Sequence, residues 1–106
     1  MFAFLKKLLG SNGPSPLQDY LSRNALILDV RTPQEFAGGH VQGSVNVPVN
    51  QLPGGLKKLK DKNQPIITCC ASGARSASAA SILRQAGYTQ VINGGPWTRV
   101  RRAMEG

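Results

Sequence analysis

The sequence predicts an α/β fold in which a small parallel sheet of four to five strands is flanked by helices. Short apolar runs alternate with stretches of helical spacing, and this alternation is typical of parallel strand pairing. The runs ALILDV and PIITCC are almost continuously apolar, as expected of strands that are covered on both faces. With 106 residues, the chain has the size of one small domain.

The first ten residues, MFAFLKKLLG, are interrupted by two lysines and are far shorter than the ~20 residues of a bilayer span. The charges lie inside the apolar part, whereas a signal peptide carries them before it. A short amphipathic helix that touches a membrane stays open, but we expect a surface-packed turn and no membrane partner. SNGPSP then breaks regular structure. We therefore expect residues 1–15 to form an N-terminal extension and residues 16–106 to form the folded domain.

The first half of the domain alternates between helical and extended segments. In order, LQDYLSR predicts a short helix, ALILDV a buried strand, TPQEFAGG one or two helical turns, and VNVP a second short strand. Thr32 is suited to cap the turns of TPQEFAGG, because Pro33 would then occupy the first helical position. Residues 49–60 are predicted to be partly helical, since three leucines recur there at helical spacing.

The second half contains the clearest elements. PIITCC predicts a buried strand, and residues 75–86 predict a helix that Gly87 ends. QVIN predicts a last strand, and a basic terminal helix follows the two glycines at 94 and 95. Each strand is thus followed by helical sequence, which supports the parallel sheet.

Cys69 and Cys70 are the two cysteines of the chain, and they are adjacent. Two cysteines without histidine partners give too few ligands for a structural zinc site, so we expect no metal and no cofactor. Neighbouring side chains of a strand point to opposite faces, which argues against a redox disulfide between them. We expect Cys69 to pack in the core and Cys70 to be a reactive thiol in a reducing, cytoplasmic compartment.

Cys70 ends a strand, and the short loop after it leads directly into a helix. Ligands of open parallel sheets bind at the carboxyl ends of strands. Successive backbone N–H groups of such a loop converge on one point at the helix N-terminus and stabilise a thiolate. Ser76 is expected to cap the helix. The predicted site is the nucleophile Cys70 with the loop residues Ala71, Ser72, Gly73, Ala74 and Arg75.

The formal net charge of +8 is concentrated in KKLKDK at residues 57–62 and RVRR at residues 99–102. Such clusters are typical of solvated faces, but they also favour small anions or an acidic partner, including RNA. No aromatic residues are interleaved with them, so a stacking platform for single strands is absent. We expect a small anionic substrate and no nucleic-acid partner.

Three segments together resemble one family. DVRTPQEFAGGHVQGSVNVP resembles the N-terminal signature of rhodanese-like domains, CASGARS their active-site loop, and GYTQVINGG the segment that closes their fold. The resemblance runs from about residue 16 to residue 97 and implies a parallel α/β sheet with Cys70 as the catalytic residue. It also implies that Asp29, Arg31 and Glu35 are scaffold charges that order the loop after the first strand.

Members of this family are typically thiosulfate or thiol sulfurtransferases. The resemblance therefore implies that Cys70 takes the outer sulfur of thiosulfate, holds it as a persulfide, and passes it to cyanide or a thiol. Cysteine phosphatases place five residues between cysteine and arginine, whereas this loop has four. The shorter loop favours a single sulfur atom over a phosphate group.

Two alternatives to this enzyme stay open. The loop offers only short side chains to the sulfonate end of thiosulfate, and this favours a persulfide carrier that receives sulfur from a protein donor for tRNA or cofactor thiolation. An inert interaction module is disfavoured, because the cysteine is present.

Overall fold

The computed structural model describes residues 15–106, so the predicted extension over residues 1–15, with its amphipathic segment, lies outside the described residues except for Ser15. The strands are β1 (Leu26–Asp29), β2 (Val45–Asn46), β3 (Ile66–Cys70) and β4 (Val91–Pro96). The α-helices are α1 (Pro16–Ser22), α2 (Pro33–Ala37), α3 (Leu52–Gly55), α4 (Ala74–Gln85) and α5 (Trp97–Glu105). Short 3₁₀ turns, Val49–Gln51 and Leu56–Lys58, flank α3.

The four strands form one sheet in the order β2-β1-β3-β4, and each neighbouring pair is parallel. The α/β prediction is confirmed, with four strands out of the four to five expected. β3 lies between β1 and β4, and its carboxyl end carries Cys70. The interior strand β3 therefore places the candidate nucleophile at the carboxyl end of the sheet, where ligands of such folds bind.

Helix caps account for where the first two helices begin. The Ser15 side chain accepts a hydrogen bond from the Gln18 backbone N–H at the start of α1. Thr32 caps α2 as predicted, and it forms a capping box with Glu35, in which each side chain accepts from the backbone N–H of the other residue. Pro33 occupies the start of α2, where its missing N–H leaves no partner unsatisfied.

The sheet is covered on both faces, and each face has its own buried cluster. Alternate residues of β3 enter different clusters: Ile66 and Cys70 pack toward α4, whereas Ile67 and Cys69 pack toward α1 and α5. None of the helices formed by residues 15–106 combines the length and apolar character that a membrane span requires.

The last strand is longer than QVIN predicted, because it continues through both glycines to Pro96. Thr68 pairs with Asn93 and Cys70 with Pro96, so β4 holds one extra residue there as a bulge. A Cβ on Gly94 would lie 2.7 Å from Ile67 Cγ2 and 2.8 Å from a Val100 methyl carbon. Only glycine lets α5 pack this closely against the end of the sheet.

Candidate active site

Cys70 is the last residue of β3, and its side chain has no exposed surface. Residues 71–73 form the connection, and α4 begins at Ala74. Gly73 adopts φ +106°, a left-handed conformation that glycine reaches without the steric cost of a Cβ atom. The chain therefore turns sharply enough to wrap its backbone around the Cys70 sulfur.

Backbone N–H groups surround Cys70 Sγ. The Gly73 N–H donates to the sulfur at 3.0 Å and the Ser76 N–H at 3.4 Å, and Ser76 Oγ lies 3.3 Å away. These donors belong to the loop and to the first turn of α4, where the helix dipole also favours a negative charge. The arrangement is a small pocket of N–H groups around one sulfur atom.

The pKa of Cys70 reflects a balance between burial and hydrogen bonds. Burial raises the pKa, because it disfavours the charged thiolate. The Ser76 side chain and the N–H groups of Ser76, Gly73 and Ser72 act in the opposite direction, and together they lower the pKa of Cys70 below its ordinary value. The thiolate is thus stabilised without a histidine base.

Cys69 has the opposite environment, although it is the adjacent residue. Its side chain is buried in the cluster on the other face of the sheet. Burial and the nearby Asp29 carboxylate raise the pKa of Cys69 to about 12. Cys69 therefore stays protonated at neutral pH and packs as a small apolar side chain.

Ser76 does not cap α4, and our expectation for this residue was wrong. The helix begins one residue earlier than predicted, with Gly73 at the N-cap and no side-chain hydrogen bond in that role. Ser76 is consequently the third residue of the helix, and its hydroxyl lies beside Cys70 Sγ. There it donates to Asn93 Oδ1 at 2.6 Å and lies 3.0 Å from Gly73 O.

Arg75 is held by Glu35 rather than by the sulfur. Its two terminal nitrogens donate to the two Glu35 oxygens at 2.7 and 3.0 Å, a bidentate pair that joins α4 to α2. The hydrogen bond from the Arg75 guanidinium is the largest of the effects that lower the pKa of Glu35 to about 2. Each side chain of the pair is 36% exposed, and the Arg75 charge acts on Cys70 through space rather than through a hydrogen bond.

Asp29 and Arg31 form a buried ion pair at the end of β1. The Asp29 carboxylate accepts from the Arg31 side chain at 2.7 to 3.1 Å and from its backbone N–H at 3.0 Å. Arg31 also donates to Gly39 O at 2.7 Å, which fastens the segment after α2. The pair thereby fixes the position of α2, which in turn carries Glu35.

Among the remaining loop residues, Ser72 contributes its backbone N–H, which lowers the pKa of Cys70. Ala71, Ser72 and Ala74 are exposed, and their side chains are short. Among residues 15–106, no group of three His, Cys, Asp or Glu side chains is arranged to hold a metal ion.

Asn93 is the residue that sequence reasoning missed. The sequence pattern places it only in the last strand, yet its side chain makes hydrogen bonds with Ser76, Gly73 and Gly95. A polar residue directly before two glycines at a strand end was the signal available in the sequence.

Comparisons with known proteins agree with this geometry. A sequence profile of the Rhodanese-like domain matches residues 13–95. Thiosulfate sulfurtransferase PspE of Escherichia coli (strain K12) is 36% identical over 69 residues, which cover 64% of this chain and 66% of PspE. The putative sulfur carrier protein YrkF of Bacillus subtilis (strain 168) is 36% identical over 73 residues, covering 69% of this chain and 39% of YrkF. The chain spans less than two thirds of the length of either relative.

A solved structure shares the architecture as well. A rhodanese with anions from E. coli is 33% identical and superimposes with a TM-score of 0.66, covering 71% of this chain and 89% of that chain. The likeness therefore includes the fold in addition to the sequence.

Proposed function

The chain belongs to the rhodanese-like domain family, and from this premise we propose that it is a sulfurtransferase that carries sulfur as a persulfide on Cys70. The observation that carries the proposal is the pocket of N–H groups around a thiol with a lowered pKa. The name of PspE, a thiosulfate sulfurtransferase, supports thiosulfate as the donor.

In the first step, the Cys70 thiolate attacks the outer sulfur of thiosulfate. A new S–S bond forms, the bond between the two thiosulfate sulfurs breaks, and sulfite leaves with the bonding electron pair. The product is a persulfide anion whose terminal sulfur carries the charge. The N–H groups of Gly73 and Ser76, which donate to Cys70 Sγ in the structure, would support the negative charge as it moves from Sγ to the adjacent sulfur, as oxyanion-hole donors do in acyl transfer.

In the second step, a nucleophilic acceptor removes the terminal sulfur. Cyanide would leave as thiocyanate, and a thiol would leave as its own persulfide, with the Cys70 thiolate regenerated in both cases. The side chains of Ala71 and Ala74 are small, so acceptors of different shapes can approach the rim.

A persulfide carrier is the second candidate function, because the chain is also similar to the putative sulfur carrier protein YrkF. In this role, Cys70 would accept sulfur from a protein donor and deliver it to a partner protein. Both functions use the same persulfide, and they differ in the donor that loads it.

The mass of the intact protein after incubation with thiosulfate tests the proposal. We expect wild type and Cys69→Ser to gain one sulfur, and Cys70→Ser to gain none. Cyanide should then remove the added mass and release thiocyanate. Cys69→Ser is the matched control, because it removes the neighbouring thiol from the opposite face of the same strand.

The possible results separate the two functions. A gain of sulfur in Cys70→Ser would contradict the assignment of the nucleophile. Loading of the wild type by a cysteine desulfurase but not by thiosulfate would favour the carrier, and no loading from either donor would reject both functions.

A further inference from the structure

The Ser76 hydroxyl has one proton and three acceptors within reach. Its Oγ lies 2.6 Å from Asn93 Oδ1, 3.0 Å from Gly73 O and 3.3 Å from Cys70 Sγ. A hydroxyl donates one hydrogen bond at a time, so the direction of this proton determines whether Ser76 presents a donor or a lone pair to the Cys70 sulfur.

The orientation of the Asn93 amide follows from its other partners. The Gly95 N–H needs an acceptor, so the Asn93 atom 2.9 Å from it is the carbonyl Oδ1. The amide nitrogen of Asn93 then donates to Gly73 O at 3.3 Å. Since Ser76 Oγ faces the same Oδ1, the hydroxyl donates its proton to Asn93, away from the sulfur.

This arrangement matches the protonated form of Cys70. With its proton on Asn93, Ser76 Oγ presents a lone pair to the sulfur and accepts the S–H hydrogen bond. A thiolate instead needs the Ser76 proton, and a hydrogen bond to a charged acceptor is roughly twice as strong as one to a neutral acceptor. The hydroxyl therefore turns toward the sulfur when Cys70 ionises, while Asn93 Oδ1 keeps the Gly95 N–H.

We propose that Asn93 is a positioning residue that sets the direction of the Ser76 hydroxyl and thereby the ionisation of Cys70. Its amide oxygen accepts the Ser76 proton in the thiol form and competes with the thiolate for that proton. Asn93 stabilises the thiol form, whereas Ser76 stabilises either form. The relevance of this device to sulfur transfer rests on the proposed function of Cys70.

Charged groups around the pocket act on the same thiol and stay constant in the test. From α4, the Arg75 charge favours the thiolate, and Glu35 of α2 neutralises part of it. Asp29 and Arg31 pair with each other at the end of β1, and Cys69 stays protonated on β3. None of these side chains hydrogen-bonds Asn93 in the structure of residues 15–106. From α5, Arg99 lines the same cavity as Asn93, and its Nη1 lies 3.7 Å from the position of a Cβ on Gly95. Its charge would neutralise part of the negative charge that Asn93→Asp adds. The groups to be left unchanged are Arg75, Glu35, Asp29, Arg31 and Arg99.

Two substitutions of Asn93 should shift the pKa of Cys70 in opposite directions. In Asn93→Asp, a carboxylate holds the Ser76 proton more strongly and adds negative charge, so the pKa should rise by about one unit. In Asn93→Ala, the thiol form loses the nearer of the two oxygen acceptors for the Ser76 proton and keeps only Gly73 O, so the pKa should fall by a few tenths of a unit. General damage to the pocket would instead raise the pKa in both variants toward that of a free thiol.

The experiment measures the rate of iodoacetamide alkylation against pH in a Cys69→Ala background, so that Cys70 is the only thiol that can be alkylated. Each Asn93 variant is also made with Ser76→Ala, and thermal unfolding verifies that all variants fold. With Ser76→Ala present, Asn93→Ala should no longer change the pKa of Cys70. Asn93→Asp should then raise the pKa only by the through-space effect of its added negative charge.

Shifts of the same sign in both variants would overturn the proposal, as would shifts that persist unchanged with Ser76→Ala. No sulfur donor enters this measurement. A failure of sulfur loading in the wild type would therefore reject the proposed function and leave the alkylation result intact.

Discussion

At the scale of single residues, the two adjacent cysteines show how strongly position determines thiol chemistry. Neither side chain has exposed surface, but Cys69 is enclosed more deeply than Cys70. Cys70 Sγ accepts N–H hydrogen bonds from the loop and helix, whereas Cys69 lies near the Asp29 carboxylate in the opposite layer. The pKa of Cys70 is lowered, and the pKa of Cys69 is raised to about 12. The thiol that we propose as the nucleophile is the one whose negative charge backbone N–H groups can stabilise.

Gly73→Ala tests the backbone contribution to this thiol. The left-handed φ of +106° makes an alanine costly, by about 1 kcal/mol of folding stability, and the strain should move the Gly73 N–H away from the sulfur. Gly43→Ala is the matched control, because Gly43 also has a positive φ (+84°) and no atom within 4 Å of its Cβ position.

Urea unfolding and the pH profile of alkylation would be measured for both glycine variants. Both should lose stability, and only Gly73→Ala should raise the pKa of Cys70. An equal effect of the two variants on the thiol would contradict a local role for the Gly73 N–H.

At the scale of elements, the Glu35–Arg75 pair ties the first turn of α4 to α2. The Asp29–Arg31 pair holds the segment after α2 through the hydrogen bond from Arg31 to Gly39 O. The two ion pairs together therefore connect the end of β1, α2 and the first turn of α4. This connection is partly exposed, since each side chain of the Glu35–Arg75 pair is 36% accessible. Its effect is expected to be modest and dependent on pH.

Glu35→Gln should lower the melting temperature at pH 7, and the difference from wild type should disappear in acid. The pKa of Glu35 is about 2 in the folded protein and about 4.3 in an unfolded chain. Because the folded value is lower, the stabilisation is complete above the unfolded pKa and is lost as the pH falls toward 2. Thermal unfolding from pH 7 to pH 2 would measure this.

Asp19→Asn is the control for Glu35→Gln, because it breaks another exposed ion pair, Asp19–Arg23 at 3.2 Å, within one helix and its C-cap. A constant difference between Glu35→Gln and wild type over the whole pH range would argue against the ion pair as the source of the effect.

Elements with strong local signals were predictable from the sequence. Thr32 with Pro33 gave the start of α2, and the helix predicted over residues 75–86 is shifted by one residue to Ala74–Gln85. The end of β4 was predicted too early, because its continuation depends on how tightly α5 packs over Gly94. Such packing joins distant segments and leaves no periodic pattern in the sequence.

In the candidate site, too, some features were predictable from local sequence and others were not. The strand, the glycine loop and the helix that surround Cys70 are consecutive, so their geometry could be inferred locally. The partners of Arg75 and Ser76 could not, because Glu35 is 40 residues and Asn93 17 residues away along the chain. The direction of each side chain is determined by these tertiary contacts.

At the scale of the whole molecule, the net charge of +8 favours the approach of an anion. If thiosulfate loads Cys70, the loading rate should fall as ionic strength rises from about 0.01 M to about 0.15 M, where the Debye length shortens from roughly 30 to 8 Å. Alkylation by neutral iodoacetamide is the control, and its rate should stay constant. A loading rate independent of salt would contradict long-range attraction, and stopped-flow kinetics would measure it.

The central place of β3 has a consequence for how the protein fluctuates. Its backbone is hydrogen-bonded to β1 on one side and β4 on the other, so its amides should exchange with deuterated water only through the largest opening motions. The short strand β2, at the edge, should exchange much sooner. The periphery of the sheet can therefore open while β3, which carries the proposed nucleophile, stays closed.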